Sequence, residues 1–141
     1  MAGKLLLILC AFVVIYTATA YLRAFKWEPA AAHYSRESME VIAKPWNVNH
    51  ILSRASLTLK TIPTQRIEQM VESNNLLLGS FIHLNYKINC SLFSGSDTYD
   101  NKKHTYATCD IPAKFEKKSV HFMLQLLYER DEWFINNMQI K

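Results

Sequence analysis

The sequence predicts an α+β fold, in which N-terminal helices pack on one face of a curved, four-stranded antiparallel sheet. In residues 81–140, apolar and polar side chains alternate with a period of two, which is typical of half-buried strands. Residues 30–78 instead favour helices and are punctuated by prolines. Within the alternating region Cys90 and Cys109 face the same side, so one pattern predicts the sheet, its register and a disulfide.

The first three predicted strands are residues 81–93, 105–115 and 119–129. Folding the chain about the polar segment 94–104 aligns the apolar residues of the first two strands, as the pairs Cys90–Cys109, Ile88–Ile111, Tyr86–Ala113 and Leu84–Phe115. A second turn at Lys117-Lys118 aligns the next two strands, as the pairs Phe115–Val120, Ala113–Phe122, Ile111–Leu124 and Cys109–Leu126. A slip of one residue would expose a whole apolar set, so the pattern favours this register.

A fourth strand follows a tight turn near Arg130-Asp131. Trp133 and Ile135 would point to one side of this strand, whereas Met138 and Ile140 would point to the other side. A bulge at Asn136-Asn137 would restore a single apolar face, and we predict one there.

Three helices are predicted before the sheet. The first covers residues 30–43, between Pro29 and Pro45, because the residue before a proline avoids the helical region. The second covers about 47–60 and carries its apolar residues on one face. The third begins with Thr64 as a cap and ends at Gly79.

The N-terminus predicts export. Leu5 to Leu22 is an uncharged run of 18 residues, and Ala18-Thr19-Ala20 fits a signal-peptidase site with cleavage after Ala20. The favoured division is a signal peptide over 1–20, a linker over 21–29 and one domain over 30–141. The alternative is a membrane anchor over residues 5–22, since 18 residues lie at the lower limit for spanning a bilayer. Both interpretations place the domain outside the cytoplasm, periplasmic or secreted in the first case and anchored in the second.

Removal of the leader leaves two cysteines, and an exported chain favours pairing them. The predicted bridge is Cys90–Cys109. The alternative is two buried thiols that act as small hydrophobes.

The distribution of charge gives no support for nucleic-acid binding. Without Lys4 the 16 basic residues become 15, against 12 acidic ones, and Lys102-Lys103 and Lys117-Lys118 lie in predicted turns. No basic stripe is interleaved with aromatic residues, so no nucleic-acid binding is predicted.

No catalytic residue, metal site or cofactor is predicted. The five histidines have no metal-ligand spacing; they are His33, His50, His83, His104 and His121. The register places His83 beside Glu116 and His121 beside Lys114 on the polar face, where a lysine would oppose a cation. Asp110 faces outward beside Asn89. Inward positions are nearly all hydrocarbon, and Tyr86, Tyr128, Trp46 and Trp133 are interpreted as core aromatics.

Several short motifs carry a family resemblance across residues 30–141. They are Pro45-Trp46-Asn47, Leu52-Ser53-Arg54-Ala55-Ser56, Leu78-Gly79, Phe115-Glu116 and Trp133-Phe134-Ile135. With the helices-then-sheet order, they resemble small exported bacterial domains of the cystatin-like, or nuclear transport factor 2-like, superfold. Catalytic members of that superfold hold acidic and histidine residues inside a cone-shaped pocket, and no matching set is found here. Lys117-Lys118 also departs from the glycine that often follows the Phe-Glu corner.

Three functional hypotheses follow. The first is an exported, non-catalytic binding or accessory domain for a small molecule or protein that the sequence does not identify. The second is a membrane-anchored subunit of an envelope or secretion assembly, in which only the N-terminal segment meets the membrane. The third is a small isomerase- or cyclase-like enzyme of the same superfold. The oligomeric state is left open, a homodimer included.

Overall fold

A computed structural model of the protein describes residues 2–85 and 87–141, without the side chains of residues 2–5, 23 and 24. The predicted burial and pairing of Tyr86 therefore lie outside the described residues. Four helices precede five strands, and their bounds are α1 Ala2–Ala43, α2 Val48–Arg54, α3 Leu57–Lys60, α4 Thr64–Leu78, β1 Phe81–Leu84, β2 Asn89–Ser96, β3 Lys103–Phe115, β4 Ser119–Glu129 and β5 Glu132–Ile140.

The strands form one antiparallel sheet in the order β1-β3-β4-β5, and β2 also pairs with β3. The helices pack against this sheet, which confirms the predicted α+β class. The number of strands differs from the prediction, because the predicted strand 81–93 is divided into β1 and β2.

The division of that strand has a physical cause at Pro112. Cys90 lies opposite Cys109 as predicted, but Leu84 lies opposite Ala113 and not Phe115. Asn85 N donates to Pro112 O at 2.9 Å, so Pro112 turns its backbone polar side toward this segment. Proline has no N–H to donate there, and the chain leaves the ladder between β1 and β2. The two-residue shift preserves the side-chain phase, so Leu84 stays buried.

The predicted register between β3 and β4 is wrong by two residues. Phe115 N donates to Lys118 O at 2.9 Å, so the turn is Glu116-Lys117 and not Lys117-Lys118. Val120 therefore lies opposite Ala113, and Leu124 opposite Cys109. The turn is fixed by the end of α4, because Glu116 N donates to Ser80 O at 2.9 Å and Lys117 N to Leu78 O at 3.0 Å.

The final hairpin matches the prediction. Arg130 and Asp131 have φ angles of 50° and 63°, the left-handed conformation that suits the twist of a two-residue hairpin. Gln125 pairs with Asn137 and Leu126 with Ile135, so Asn136 is the extra residue of a bulge. Ile135 and Met138 are consequently both buried in the core.

Helix α1 begins earlier than the predicted helix 30–43. It runs unbroken through Pro29, so residues 21–29, expected to link two segments, are helical. Its last part is buried against the sheet through small and apolar side chains, namely Ala31, Ser35, Ser38, Met39, Ile42 and Ala43.

The predicted helix 47–60 is instead two helices, α2 and α3. Ser56 N donates to Ile135 O at 2.8 Å, so the chain between α2 and α3 is hydrogen-bonded to strand β5 and is not helical there. The Ser56 hydroxyl then caps α3 by accepting a hydrogen bond from Leu59 N at 3.1 Å. Helix α4 covers Thr64–Leu78, close to the predicted bounds, and Gly79 after it has a φ of 74°. The predicted cap is wrong, because Pro63 is the N-cap residue, no side chain caps the helix, and Thr64 is its first helical residue.

Aromatic side chains occupy the space between helices and sheet. Phe115 and Phe122 are fully buried, and the partly buried Trp46 stacks on Phe115 with ring centroids 5.9 Å apart. At the other end of the core Trp27 of α1 contacts Tyr128 at 4.3 Å and Trp133 at 6.1 Å. The predicted packing of Trp46, Trp133 and Tyr128 against the core is confirmed.

The Cys90–Cys109 disulfide is confirmed, with an S–S distance of 2.05 Å. It joins β2 to β3 beyond the interruption at Pro112.

The two sheet faces should respond differently to truncation. We expect Leu124→Ala to lower the free energy of unfolding by about 2–5 kcal/mol, because it leaves a cavity in a fully buried layer. His121→Ala on the opposite face should change it by less than about 0.5 kcal/mol. Denaturant unfolding of both variants measures the difference. Equal losses would show that the two faces are assigned the wrong way round.

The disulfide should be present in protein that is isolated without reductant. Alkylation of the denatured, unreduced protein should leave Cys90 and Cys109 unmodified in a peptide map, and prior reduction should make both reactive. Because the bridge closes a loop with a sequence separation of 19, its removal should cost about 3 kcal/mol of stability. Alkylation of either cysteine without reductant would contradict the pairing.

Candidate functional site

The polar residues considered from the sequence do not converge. His83 lies opposite Lys114, and Glu116 Oε2 accepts a hydrogen bond from Ser80 N at 3.3 Å. His121 lies opposite Pro112 and places Nδ1 2.8 Å from Asp110 Oδ1. Asp110 lies opposite Asn89 as expected. Within residues 2–85 and 87–141, no three His, Cys, Asp or Glu side chains form a group suited to a metal ion.

Among the buried residues of the described chain, Asp97 carries a carboxyl group. The largest fully buried side chains are hydrocarbon, apart from methionine and cysteine sulfur. The buried polar residues of the described chain are Ser35, Ser38, Ser56, Asn74 and Asp97. Asp97 is the charged member of this set, so its surroundings form the candidate site.

Asp97 lines a cavity of about 180 Å³ at the end of the β2–β3 hairpin. We call this cavity the hairpin-end pocket, and its principal lining residues are Thr58, Phe93, Asp97, Tyr106, Gln125 and Asn136. Tyr106 and Gln125 alternate along their strands with the core residues Ala107 and Leu126. The pocket therefore lies on the sheet face opposite the main core.

The Asp97 side chain is held by neutral donors. Its Oδ1 accepts hydrogen bonds from Thr58 Oγ1 at 2.7 Å and from Tyr99 N at 2.8 Å, and the residue is only 6% exposed. Its backbone closes the loop, because Asp97 N donates to Lys102 O and Asn101 N donates to Asp97 O, both at 2.9 Å. The bond from Thr58 also fastens the hairpin loop to α3, 39 residues away in sequence.

Hydrogen-bonded side chains form a second wall of the pocket. The Ser56 hydroxyl donates to Asn136 Oδ1 at 2.8 Å, and Asn136 Nδ2 donates to Gln125 Oε1 at 3.1 Å. Asn136 is the bulged residue of β5, and bulges commonly redirect side chains next to functional sites. The bulge thus serves the core on one face and this polar wall on the other.

Two aromatic rings complete the pocket. Phe93 stacks on Tyr106 with centroids 5.2 Å apart and an interplanar angle of 13°. Gly95 lets the backbone of β2 lie close to the Tyr106 ring, because a Cβ there would be 3.2 Å from Tyr106 Cε2. Burial raises the pKa of the Tyr106 hydroxyl above its usual range, and the neighbouring Asp97 carboxylate adds to the shift.

The sequence pattern did not predict this pocket. It placed Asp97 in a polar connection and Tyr106 on the solvated face. One signal was available, because the predicted register already sets Phe93 opposite Tyr106, and two facing aromatics on a polar face are unusual.

Comparison with known proteins gives no relative for this chain. No family model matches it, and neither a curated protein nor a solved structure matches it.

The raised pKa of Tyr106 predicts a loss of stability at alkaline pH. A group whose pKa is higher in the folded protein than in the unfolded chain stabilises the folded state. It does so fully at pH values below the pKa of the unfolded chain, which is 10.0 for tyrosine. That contribution is lost as the pH rises through the folded pKa, since the unfolded chain releases the proton first. Denaturant unfolding should therefore show a smaller decline above about pH 10 for Tyr106→Phe than for the wild type. Tyr99→Phe, at an exposed residue, should decline like the wild type; a Tyr106→Phe curve that also does so would contradict the assignment.

Proposed function

We propose that this protein is an exported, non-catalytic binding domain of the cystatin-like, or nuclear transport factor 2-like, type. It loses residues 1–20 on export and binds its ligand at the hairpin-end pocket. The helices-then-sheet order supports the superfold, because it matches the resemblance carried by residues 30–141.

The position of the buried Asp97 carboxylate carries the proposal. In catalytic members of the superfold, acidic and histidine side chains line the space between helices and sheet. Here the described part of that space is filled mainly by apolar side chains, including Phe115, Phe122 and Leu124, and its buried polar residues on α1 are the serines Ser35 and Ser38. The buried carboxylate lies on the other face, in a pocket of neutral hydrogen-bonding groups. Such a pocket suits recognition better than proton transfer across the fold.

Two observations support export. The disulfide favours an oxidising compartment. The apolar N-terminal part of α1 is exposed along its length and, by length and composition, is sufficient to cross a membrane, with a mean hydropathy of 1.9. A signal peptide and an anchor share these properties.

The course of α1 favours cleavage over anchoring. Tyr16, Thr19 and Ala20 line a groove of about 420 Å³ together with β2 residues Leu92, Phe93 and Ser94. Since a helix rises 1.5 Å per residue, Tyr16 would lie about 9 Å deeper in a bilayer than Leu22. An anchor over residues 5–22 would therefore carry this part of β2 to hydrocarbon depth, where backbone groups without hydrogen-bond partners are costly. Removal of residues 1–20 avoids this conflict.

A membrane-anchored assembly subunit is the second candidate. One observation favours it: α1 is continuous, and Trp27 packs on Tyr128 and Trp133, so an uncleaved helix would be joined firmly to the domain. This arrangement would require α1 to bend between Leu22 and Trp27.

N-terminal sequencing of the exported protein should find Tyr21 as the first residue. Ala18→Leu combined with Ala20→Leu should block processing, because signal peptidases require small side chains at these positions. Ala11→Leu, within the apolar run, is the matched control and should be processed normally. Recovery of the intact wild-type chain in the membrane fraction would contradict cleavage and support the anchored alternative.

A further inference from the structure

We propose that the hairpin-end pocket binds an ammonium group, either of a small primary amine or of a lysine side chain. This inference rests on the proposed binding role of the domain and adds the chemical class of its ligand.

The first argument is the uncompensated charge of Asp97. Buried carboxylates are normally paired with a cation, because removing a charge from water is costly. In the part of the chain that the structure describes, no Lys, Arg or His side chain forms an ion pair with Asp97. The nearby side chain of His104 is partly buried and pairs with Asp100 instead. A ligand cation would supply the missing partner.

The second argument is the composition of the pocket. An ammonium group has three N–H donors and no acceptor, so it needs several acceptors around it. The Asp97 carboxylate, the Thr58 hydroxyl and the side-chain amide oxygens of Gln125 and Asn136 belong to the lining. The rings of Phe93 and Tyr106 add the aromatic surface that attracts cations.

The third argument is size and selectivity. A volume of about 180 Å³ corresponds to roughly six water molecules, which suits an ammonium group on a short alkyl chain. Anions would be repelled by Asp97, and a neutral alcohol would leave its charge unpaired. The pocket should therefore distinguish ligands of equal size by charge.

NMR titration of the exported, disulfide-bonded protein with n-propylammonium tests this inference, with 1-propanol and propionate as probes of matched size. We expect the ammonium ion to shift amide resonances of residues 93–98 and 106, and the two controls to do so much less. Equal shifts with 1-propanol, or none with n-propylammonium, would overturn the ammonium assignment. Neither result would bear on the cleavage after Ala20, which N-terminal sequencing decides.

Asp97→Asn is the decisive variant, because the amide keeps an oxygen for Thr58 and Tyr99 while removing the charge. It should weaken n-propylammonium binding by about ten- to a hundredfold, the range for losing a hydrogen bond to a charged group. Asp110→Asn is the matched control, because it removes the same charge on the same sheet face from the exposed Asp110–His121 pair. It should bind n-propylammonium like the wild type. If Asp97→Asn does not fold, Gly95→Ala retains the charge and crowds the Tyr106 ring. Unchanged binding in either folded pocket variant would contradict the site.

The source of the ammonium group requires a second probe. Nα-acetyl-lysine methylamide presents the same group as a lysine within a peptide. Tighter binding of this probe than of n-propylammonium would indicate a protein partner, and weaker binding would indicate a small amine.

Discussion

The whole sheet depends on strand β3, because it pairs with β1 and β2 on one side and with β4 on the other. Pro112 interrupts its hydrogen bonding on the first side, and the chain responds by dividing β1 from β2. The disulfide at Cys109 lies three residues from this proline and fixes β2 to β3 beyond the gap. The disulfide thus adds a covalent link close to the gap, at the end of β2 where its ladder with β3 begins.

The sequence predicted phase better than register, for a physical reason. Alternation depends on each residue's own polarity, so the inward faces of β3 and β4 could be read directly. Register depends on the turn, and Glu116-Lys117 is fixed by carbonyl groups at the end of α4. Likewise, β5 breaks the predicted helix 47–60 through Ser56. Both errors come from hydrogen bonds between elements far apart in sequence, which periodicity cannot report.

The candidate site was harder to predict than the fold, because it has no local motif. Asp97 is buried only because the hairpin loop meets Thr58 of α3, and Asn136 reaches the same pocket through the bulge in β5. The bulge was predictable from the phase change after Ile135, and the facing aromatics Phe93 and Tyr106 follow from the register. The contact between α3 and the loop was not predictable, since a polar connection of this length normally stays in water.

The two faces of the sheet differ in the side chains that they bury. The inner face excludes water with hydrocarbon from α1, α2 and α4, so its side chains have little freedom to serve a ligand. The outer face carries a charge whose hydrogen bonds also close the hairpin loop. A cation bound to Asp97 would favour the folded loop over its open form, because ligands stabilise the state that binds them. The bond from Thr58 to Asp97 would then couple ligand binding to the docking of the loop on α3.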